Sequence, residues 1–248
     1  MERYSAYDTF AWLYNREWGA FGERIFPALK IIAGDNLPDG ARILDLCCGT
    51  GQLARVLTEK GYRVTGVDGS AEMLRYAKIN APGTEFLNED ARTFRLPSVF
   101  NDVFSTFDSL NHIMTLPELQ KVFKNVNRCL ISGGIFIFDM TMQKHFESEA
   151  KIFKDIQEKP KYLYLLCNEY DAEKKLYQYK CTLFQPEGKL WKRSEIILYQ
   201  TWYPCEDIKS SLGKVGFTGI RAHSFNPQRE LEEATEDSTR AFFLAEKP

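Results

Sequence analysis

The chain has 248 residues, of which 44% are hydrophobic and 27% charged, the profile of an ordinary soluble globular protein. Its 32 basic and 34 acidic residues give a formal net charge of −2. This near-neutrality argues against nucleic acid as the main partner, because phosphate recognition needs a clustered excess of Lys and Arg. Residues 1–30 carry charges throughout, and the longest strongly apolar stretch, Gly134–Met140, is far shorter than a membrane span. We expect a cytoplasmic protein without a membrane partner.

The N-terminal half alternates predicted helices and strands. Residues 4–33 place apolar side chains at helical spacing, and Gly34–Gly40 ends these helices. The predicted strands that follow are 41–47, 62–67, 85–88, 102–107 and 134–140, and the predicted helices between them are 51–60, 70–80 and 117–130. Such alternation is typical of a parallel sheet covered by helices on both faces. We predict an N-terminal helical cap over residues 1–40 and one domain over residues 41–248.

The pattern changes between Tyr162 and Tyr203. Three segments with period-two character cover 162–170, 175–184 and 190–203, and turn residues separate them. A helix over 205–214 and strands over 219–225 and 240–246 follow, and the acidic residues 231–237 are interpreted as a solvated loop. The prediction is an α/β fold, a doubly wound mixed seven-stranded sheet with an antiparallel β lid inserted over 142–203.

The most informative segment, Leu44–Gly51, leaves the first strand and opens the next helix. Its glycines let the backbone approach a ligand, and Gly49–Ala54 also fits the G-x-G-x-x-[GA] pattern of dinucleotide-binding proteins. Asp68 ends the second strand, where a carboxylate can accept hydrogen bonds from ribose hydroxyls, and Asp90 follows the third strand, where it can contact an adenine amine. Asp45 would repel a pyrophosphate but would favour an amine or a sulfonium.

Together these residues resemble the motifs of the class I S-adenosylmethionine-dependent methyltransferases. The matching segments are Leu44–Gly51, Val64–Ser70 with Met73, Glu89–Ala91, Phe107–His112, Gly216–Phe217 and Phe242–Ala245. One position departs from the pattern, since Cys47 stands where the family has its first loop glycine. The resemblance implies a Rossmann-like fold, S-adenosylmethionine as cofactor and S-adenosylhomocysteine as product.

The resemblance also implies roles for single residues. The backbone of Gly49–Gly51 would face the methionine part of the cofactor, Asp68 would bind the ribose diol, and Phe107 would give a main-chain contact near the methionine. Tyr14 belongs to a tyrosine-rich first helix that covers the cofactor in small-molecule enzymes of this kind. The predicted cofactor-binding set is Tyr14, Asp45, Cys47, Gly49, Thr50, Gly51, Asp68, Gly69, Met73, Asp90, Ala91 and Phe107. Structural alternatives are a helix cap for Asp68, core packing for Met73 and a turn role for Asp90.

His112 is the candidate catalytic residue. Methyl transfer from a sulfonium is an in-line displacement that needs a base only if the nucleophile arrives protonated. His112 follows the carboxyl end of the fourth strand, although a histidine bonded to a loop carbonyl is an equal alternative. His145 and His223 are expected at the surface or in packing. No bound metal is expected, because the sequence has no tight acidic cluster, although Asp108 and Asp139 at two strand ends could meet.

The acceptor is predicted to be a small molecule. The segment Phe107–Leu110 lacks the Asn/Asp-Pro-Pro-aromatic element of enzymes that methylate nucleic-acid bases. Residues 162–203 hold ten aromatic side chains, which could wall a pocket, hold a cationic amine, or pack against the main domain or a second subunit in a homodimer. We predict methyl transfer to an amine or a hydroxyl, with the amine favoured. The alternatives are an NAD(P)-dependent oxidoreductase and a non-catalytic S-adenosylmethionine-binding protein.

Overall fold

The computed structural model describes residues 4–34, 37–148, 153–225 and 230–248. The helices are α1 (Ser5–Glu17), α2 (Ala20–Ala33), α3 (Gln52–Glu59), α4 (Ala71–Asn80), α5 (Leu116–Cys129), α6 (Gln143–Ser148) and α7 (Cys205–Lys214), and a 3-10 turn spans Ser109–His112. The strands are β1 (Arg42–Leu46), β2 (Arg63–Asp68), β3 (Glu85–Asn88), β4 (Phe100–Ser105), β5 (Leu130–Thr141), β6 (Phe153–Lys159), β7 (Tyr162–Asp171), β8 (Leu176–Glu187), β9 (Leu190–Gln200), β10 (Thr218–Phe225), β11 (Leu231–Glu233) and β12 (Arg240–Glu246). Among the described residues, no helix combines the length and the apolar character that a membrane crossing requires.

The central sheet has eight strands in the order β11-β10-β12-β5-β4-β1-β2-β3. The five strands from β5 to β3 are parallel to their neighbours, whereas β12, β10 and β11 join by antiparallel pairing. The chain runs outward from β1 in one direction through β2 and β3, and in the other direction through β4 and β5. Ligands of doubly wound folds bind where the strand order reverses, at the carboxyl ends of the strands. The β1–β4 boundary is therefore the expected place for a site.

Strict alternation of side chains explains why helices cover both faces of this sheet. On β5, Ile135 and Ile137 pack on the face covered by α2 and α3, while Phe136 and Phe138 pack on the face covered by α5 and α7. All four are buried. Each such side chain contributes roughly 1.5–3 kcal/mol of burial free energy. The two-sided apolar character of this strand is typical of a parallel sheet.

A second sheet contains strands β6–β9 in sequential antiparallel order, and we call it the small sheet. It lies in sequence between β5 and α7. One face packs against helix α1, where Leu183, Ile196 and Leu198 meet Phe10 and Leu13 in one apolar cluster. Helix α1 also contacts α4, which covers the central sheet, so α1 lies between the small sheet and α4.

Polar contacts hold helix α1 at both of its ends. Near its start, the Asp8 carboxylate accepts hydrogen bonds from the Ser70 hydroxyl at 2.6 Å and from the Glu72 backbone N–H at 3.2 Å. At its end, Glu17 accepts hydrogen bonds from the hydroxyls of Tyr162 and Tyr164 of the small sheet. The helix is thereby tied to both sheets.

The predicted α/β fold is confirmed, and the strand count needs correction. Leu231–Glu233, predicted as part of a solvated loop, forms an eighth strand at the sheet edge, where its three exposed side chains suit an unprotected position. The small sheet has four strands instead of three because Phe153–Lys159 pairs with β7. Both additions are charged edge strands whose backbone pairing, rather than side-chain pattern, decides their structure. The division into cap, domain and lid (142–203) stays a prediction.

Candidate active site

A cavity of about 640 Å³ lies at the carboxyl ends of β1, β2, β4 and β5, between helix α1 and the small sheet. Most of the residues predicted from the sequence line it. These are Tyr14, Cys47, Gly49, Asp68, Gly69, Met73, Ala91, Phe107 and His112. The structure therefore brings the candidate catalytic residue and most of the predicted cofactor set to one cavity.

Thr50 and Gly51 lie behind the cavity wall. They shape the end of the segment Leu44–Gly51, which we call the glycine loop. Thr50 is fully buried, and its hydroxyl donates to the Gln52 side chain at 2.7 Å. Gly51 has φ +81°, and a Cβ there would come within 2.9 Å of Ala77 on α4. A larger residue would push α4 away from the loop. These two residues serve helix packing, and their predicted contact with the cofactor stays a prediction.

The Asp68 carboxylate organises the loop from the end of β2. Its Oδ2 accepts the Gly49 N–H and its Oδ1 accepts the Ser70 N–H, both at 2.8 Å. Burial raises the pKa of Asp68 to about 6, although both hydrogen bonds oppose the shift. The cap of α4 is Ser70, whose hydroxyl accepts the Met73 N–H. Each carboxylate oxygen has a second lone pair with which it can accept a hydroxyl of a ribose diol.

Asp90 is held away from the cavity by Arg92. The Arg92 guanidinium donates to both Asp90 oxygens, at 2.8 and 2.6 Å. Burial alone would raise the pKa of Asp90, but the hydrogen bonds and charge of Arg92 lower it to about 2. Arg92 itself lines the cavity and was not identified from the sequence. The adenine contact of Asp90 stays a prediction.

Asp45 faces a separate small pocket beside the glycine loop. This pocket of about 20 Å³ is also lined by Tyr14, Thr106 and Phe107. Asp45 is 2% exposed, and its Oδ2 has no hydrogen-bond partner among the described residues. Burial, with a further contribution from the charge of Asp68, raises the pKa of Asp45 to about 7. A buried carboxyl oxygen without a partner is the feature expected where a cationic amine or sulfonium binds.

Three non-glycine residues next to the site have left-handed backbones. They are Cys47 (φ 59°), Phe107 (φ 61°) and Asp108 (φ 46°). Such conformations cost about 1–3 kcal/mol each and persist where surrounding contacts hold them. The Asp139 carboxylate supplies such contacts by accepting the Phe107 N–H at 2.7 Å and the Asp108 N–H at 3.1 Å. The Phe107 ring also stacks on Phe21 at 4.1 Å.

Asp108 and Asp139 share one arginine. Arg240 of β12 donates to Asp108 at 2.7 Å and to Asp139. Burial would raise the pKa of Asp108, but the nearby charge of Arg240 lowers it. One guanidinium charge is therefore shared by two carboxyl groups, and burial raises the pKa of Asp139. No group of three metal-ligating residues occurs in the described part of the chain. Arg240 lines the cavity, and no motif around it predicts this position.

His112 is an imidazole whose orientation is fixed by hydrogen bonds. Its Nδ1 lies 2.7 Å from the Tyr199 carbonyl oxygen, so this nitrogen carries the proton and donates it. Gln200 Nε2 lies 3.1 Å from His112 Nε2 and 2.6 Å from Asp108 Oδ2. Burial lowers the pKa of His112, against the opposing charge of Asp108. The nitrogen able to accept a proton is thus Nε2, and the carbonyl bond considered from the sequence is also present.

His145 corrects the sequence-based expectation. It was expected to be a surface or packing residue, but it lines the cavity from α6. It follows β5, whose carboxyl end reaches the site, and this position in the fold could not be read from any motif. His223, by contrast, lies on β10 outside the cavity wall.

The small sheet contributes a polar and aromatic wall. Its cavity-lining residues are Asn168, Tyr177, Tyr179, Leu198 and Gln200. Of the ten aromatic residues between 162 and 203, only the two tyrosines line the cavity. Among the others, Tyr164 packs on α1 and Trp202 packs on Phe146. Packing therefore explains much of this aromatic enrichment, and a homodimer through this sheet stays a prediction.

Comparisons with known sequences point to one enzyme class. A family model described as a methyltransferase domain matches residues 43–134. The YqeM protein of Bacillus subtilis (strain 168), which is named as a methyltransferase, is 31% identical over 224 residues, or 86% of each chain. A dTDP-3-amino-3,4,6-trideoxy-alpha-D-glucopyranose N,N-dimethyltransferase of Streptomyces venezuelae is 26% identical over 133 residues, or 54% of each chain. A trans-aconitate 2-methyltransferase of Azoarcus sp. (strain BH72) is 33% identical over 121 residues, covering 48% of this chain and 46% of the relative.

Solved structures share the fold over the whole chain. An S-adenosylmethionine-dependent methyltransferase from Clostridium acetobutylicum ATCC 824 superimposes with a TM-score of 0.81 at 23% identity, covering 98% of this chain and 99% of the other. CalS10 of Micromonospora echinaspora, an amino pentose methyltransferase solved with S-adenosylmethionine bound, gives a TM-score of 0.70 at 17% identity over 100% and 99% of the two chains.

Proposed function

We propose that this chain, which belongs to the class I S-adenosylmethionine-dependent methyltransferases, transfers a methyl group to an amine of a small molecule bound in the 640 Å³ cavity. S-Adenosylmethionine is the methyl donor of this class. Family membership excludes the NAD(P)-dependent oxidoreductase that the glycine loop alone left open. The identity of the methyl acceptor as an amine is the content of the proposal.

The residues of the cofactor side fit this donor. Asp68 offers two oriented carboxylate oxygens to a ribose diol. Asp45 lies in the small pocket that shares Tyr14, Cys47 and Phe107 with the cavity, and it gives this side of the site a buried carboxyl oxygen without a partner among the described residues. Met73 and Tyr14 add buried apolar and aromatic surface to the cavity wall. When bound, S-adenosylmethionine supplies an electrophilic methyl group on a sulfonium.

The pairing of the arginines in the cavity wall supports an amine acceptor most directly. Arg240 pairs with Asp108 and Asp139, and Arg92 pairs with Asp90 and Glu118. No arginine charge is thus left over to neutralise a bound carboxylate. The wall also carries Asp68 and Glu89, but Asp68 is assigned to the cofactor ribose, so on the acceptor side it is the pairing of the arginines that argues against an anion. A relative named for trans-aconitate, which is a carboxylate, would need a different charge balance.

The residues around the acceptor would position it and manage its proton. Helix α1 and the small sheet form two sides of the cavity and would limit the access of water to the reacting groups. An amine that arrives as an ammonium must lose a proton before it can act as a nucleophile. We assign the proton acceptor to His112 Nε2, because the Tyr199 carbonyl fixes the proton on Nδ1. The nearby negative charge of Asp108 would stabilise the resulting imidazolium.

The direct test is a matched substrate panel. Purified enzyme with S-adenosylmethionine is offered primary amines, each paired with the alcohol and the carboxylate of the same carbon skeleton, and methylated products are detected by mass spectrometry. We expect methylation within the amine series. Turnover confined to the carboxylates or alcohols would contradict the proposal, and S-adenosylhomocysteine formation without acceptor measures the background reaction.

A further inference from the structure

Three buried side-chain atoms of the small sheet have no hydrogen-bond partner among the described residues, and two of them belong to residues that line the cavity, whereas Gln185 does not. These two are Oδ1 of Asn168 and the hydroxyl of Tyr179. Asn168 is 7% exposed, and both residues line the cavity. Leaving a polar group buried without a partner destabilises a folded protein, so each such group requires an explanation. These two lie in a ligand cavity.

The two side chains are neighbours by register. Asn168 of β7 pairs directly with Tyr179 of β8, which places their side chains on the same face of the sheet with Cβ atoms about 5 Å apart. The Tyr179 ring is held from the other side by Phe10 and Trp18 of α1, with ring centroids 6.1 and 6.4 Å away. The pair is therefore a fixed structure in the wall.

Register also relates this pair to the proposed reaction centre. Tyr179 pairs with Leu198 of β9, and Gln200, which contacts His112, lies two residues further along β9. Two residues along a strand span about 7 Å. Tyr179 is thus a diagonal neighbour of Gln200, and Asn168 lies one strand further from Gln200.

The chemistry of the pair selects one kind of ligand group. An amide oxygen accepts a hydrogen bond, and a phenol can donate one. A hydroxyl satisfies both at once, because it donates through its proton and accepts through a lone pair. An ammonium can only donate, so it would leave the phenol proton without an acceptor, and a carboxylate can only accept, so it would leave the amide oxygen without a donor.

We propose that Asn168 and Tyr179 form a subsite for a hydroxyl group of the acceptor, with Tyr179 about 7 Å along the sheet from the amine end of the cavity. The acceptor is then a hydroxylated cyclic amine rather than a simple alkylamine. This inference rests on the proposed function for the position of the amine, but the hydroxyl subsite itself can be measured without catalysis.

Calorimetric titration tests the subsite on the enzyme saturated with S-adenosylhomocysteine. The probes are trans-4-aminocyclohexanol and cyclohexylamine, which differ by one hydroxyl opposite the amine. We expect the wild type to bind the amino alcohol about tenfold more tightly, since a site built for a hydroxyl discriminates against the analogue that lacks it. Tyr179→Phe and Asn168→Leu should each reduce this preference while cyclohexylamine affinity stays constant.

Stability provides a second readout. Because Tyr179→Phe removes a hydroxyl that has no partner, the free variant should melt at the wild-type temperature or above it. Tyr76→Phe, which removes a hydroxyl from α4 outside the cavity wall, is the matched control and should keep the preference for the amino alcohol.

The outcomes separate the two proposals. Equal wild-type affinities, a preference that survives in both variants, or no binding of either probe would overturn the hydroxyl subsite. A hydroxyl preference in binding without methylation of any amine would support the subsite and contradict the proposed function. Methylation of amines without a hydroxyl preference would support the proposed function and contradict the subsite.

Discussion

The two walls of the cavity are built in different ways. The cofactor wall consists of chain segments that directly follow β1, β2 and β4, and its key contacts are between a carboxylate and nearby backbone amides, such as Asp68 with Gly49 and Ser70. The acceptor wall consists of side chains from three antiparallel strands, brought together by register alone. The first wall fixes a ligand common to a family, whereas the second can change residue by residue without disturbing the loop. Predictions that affect one wall and spare the other test this division.

The largest effect is expected at Asp68. Asp68→Ala removes both oriented carboxylate oxygens, so S-adenosylhomocysteine affinity should fall by about 1,000-fold, the loss of two charge-assisted hydrogen bonds. Calorimetric titration measures this. If the division of the walls is correct, Tyr179→Phe leaves cofactor affinity unchanged. A loss of less than about threefold in Asp68→Ala would contradict the ribose role.

His112 should control the pH dependence of turnover. His112→Gln is expected to lower kcat by about 100-fold, the lower end of general-base contributions. Because burial lowers the pKa of His112 below 6.5, the wild-type rate should rise with pH through a value below 6.5 and then level off. That acidic limb should disappear in His112→Gln and persist in the control His223→Gln. An unchanged profile in His112→Gln would assign the residue a structural role.

Asp45 should couple cofactor binding to proton release. Its pKa of about 7 means that the folded chain favours the protonated carboxyl. The stabilisation that the protonated Asp45 carboxyl gives to the folded chain is therefore fully present below pH 3.8, the ordinary pKa of the group. It is lost as the pH rises through about 7, the pKa in the folded chain. A bound cation lowers this pKa, so S-adenosylmethionine binding near pH 7 should release a fraction of one proton.

Calorimetry in buffers of different ionisation enthalpy measures that release. Asp45→Asn should abolish it and should raise the melting temperature of the free protein at pH 8 more than at pH 5, because the variant carries no buried charge at the higher pH. Proton release that persists in Asp45→Asn would assign the proton to another group.

The smallest effect is expected at Cys47. Its left-handed backbone costs about 1–2 kcal/mol, and glycine adopts this conformation freely at a cost in unfolded-chain entropy. Cys47→Gly should therefore raise the free energy of unfolding by about 0.5 kcal/mol, measured by denaturant titration. Cys205→Gly, in the helical backbone of α7, is the control and should be destabilising. A loss above about 1 kcal/mol in Cys47→Gly would show that the thiol contacts outweigh the strain.

The same division explains what the sequence could predict. The cofactor wall follows from local signals, since every predicted residue except Tyr14 of α1 lies within a few positions of a strand end. The acceptor side depends on contacts that no local pattern encodes: Arg240 lies 132 residues from Asp108, and Gln200 lies 92 residues from it. Asn168 became identifiable only when its pairing with Tyr179 was known. The charged strands β6 and β11 were missed because neighbouring backbones, rather than their own side chains, define them.

Helix α1 borders both the cofactor side and the acceptor side of the cavity. Tyr14 on this helix lines the cofactor side of the cavity, while Phe10 and Trp18 of the same helix support Tyr179 on the acceptor side. Glu17 fastens the helix to the small sheet, and Asp8 fastens it to the start of α4. Displacing the thirteen residues of α1 would therefore expose the cofactor side and the acceptor side of the cavity together.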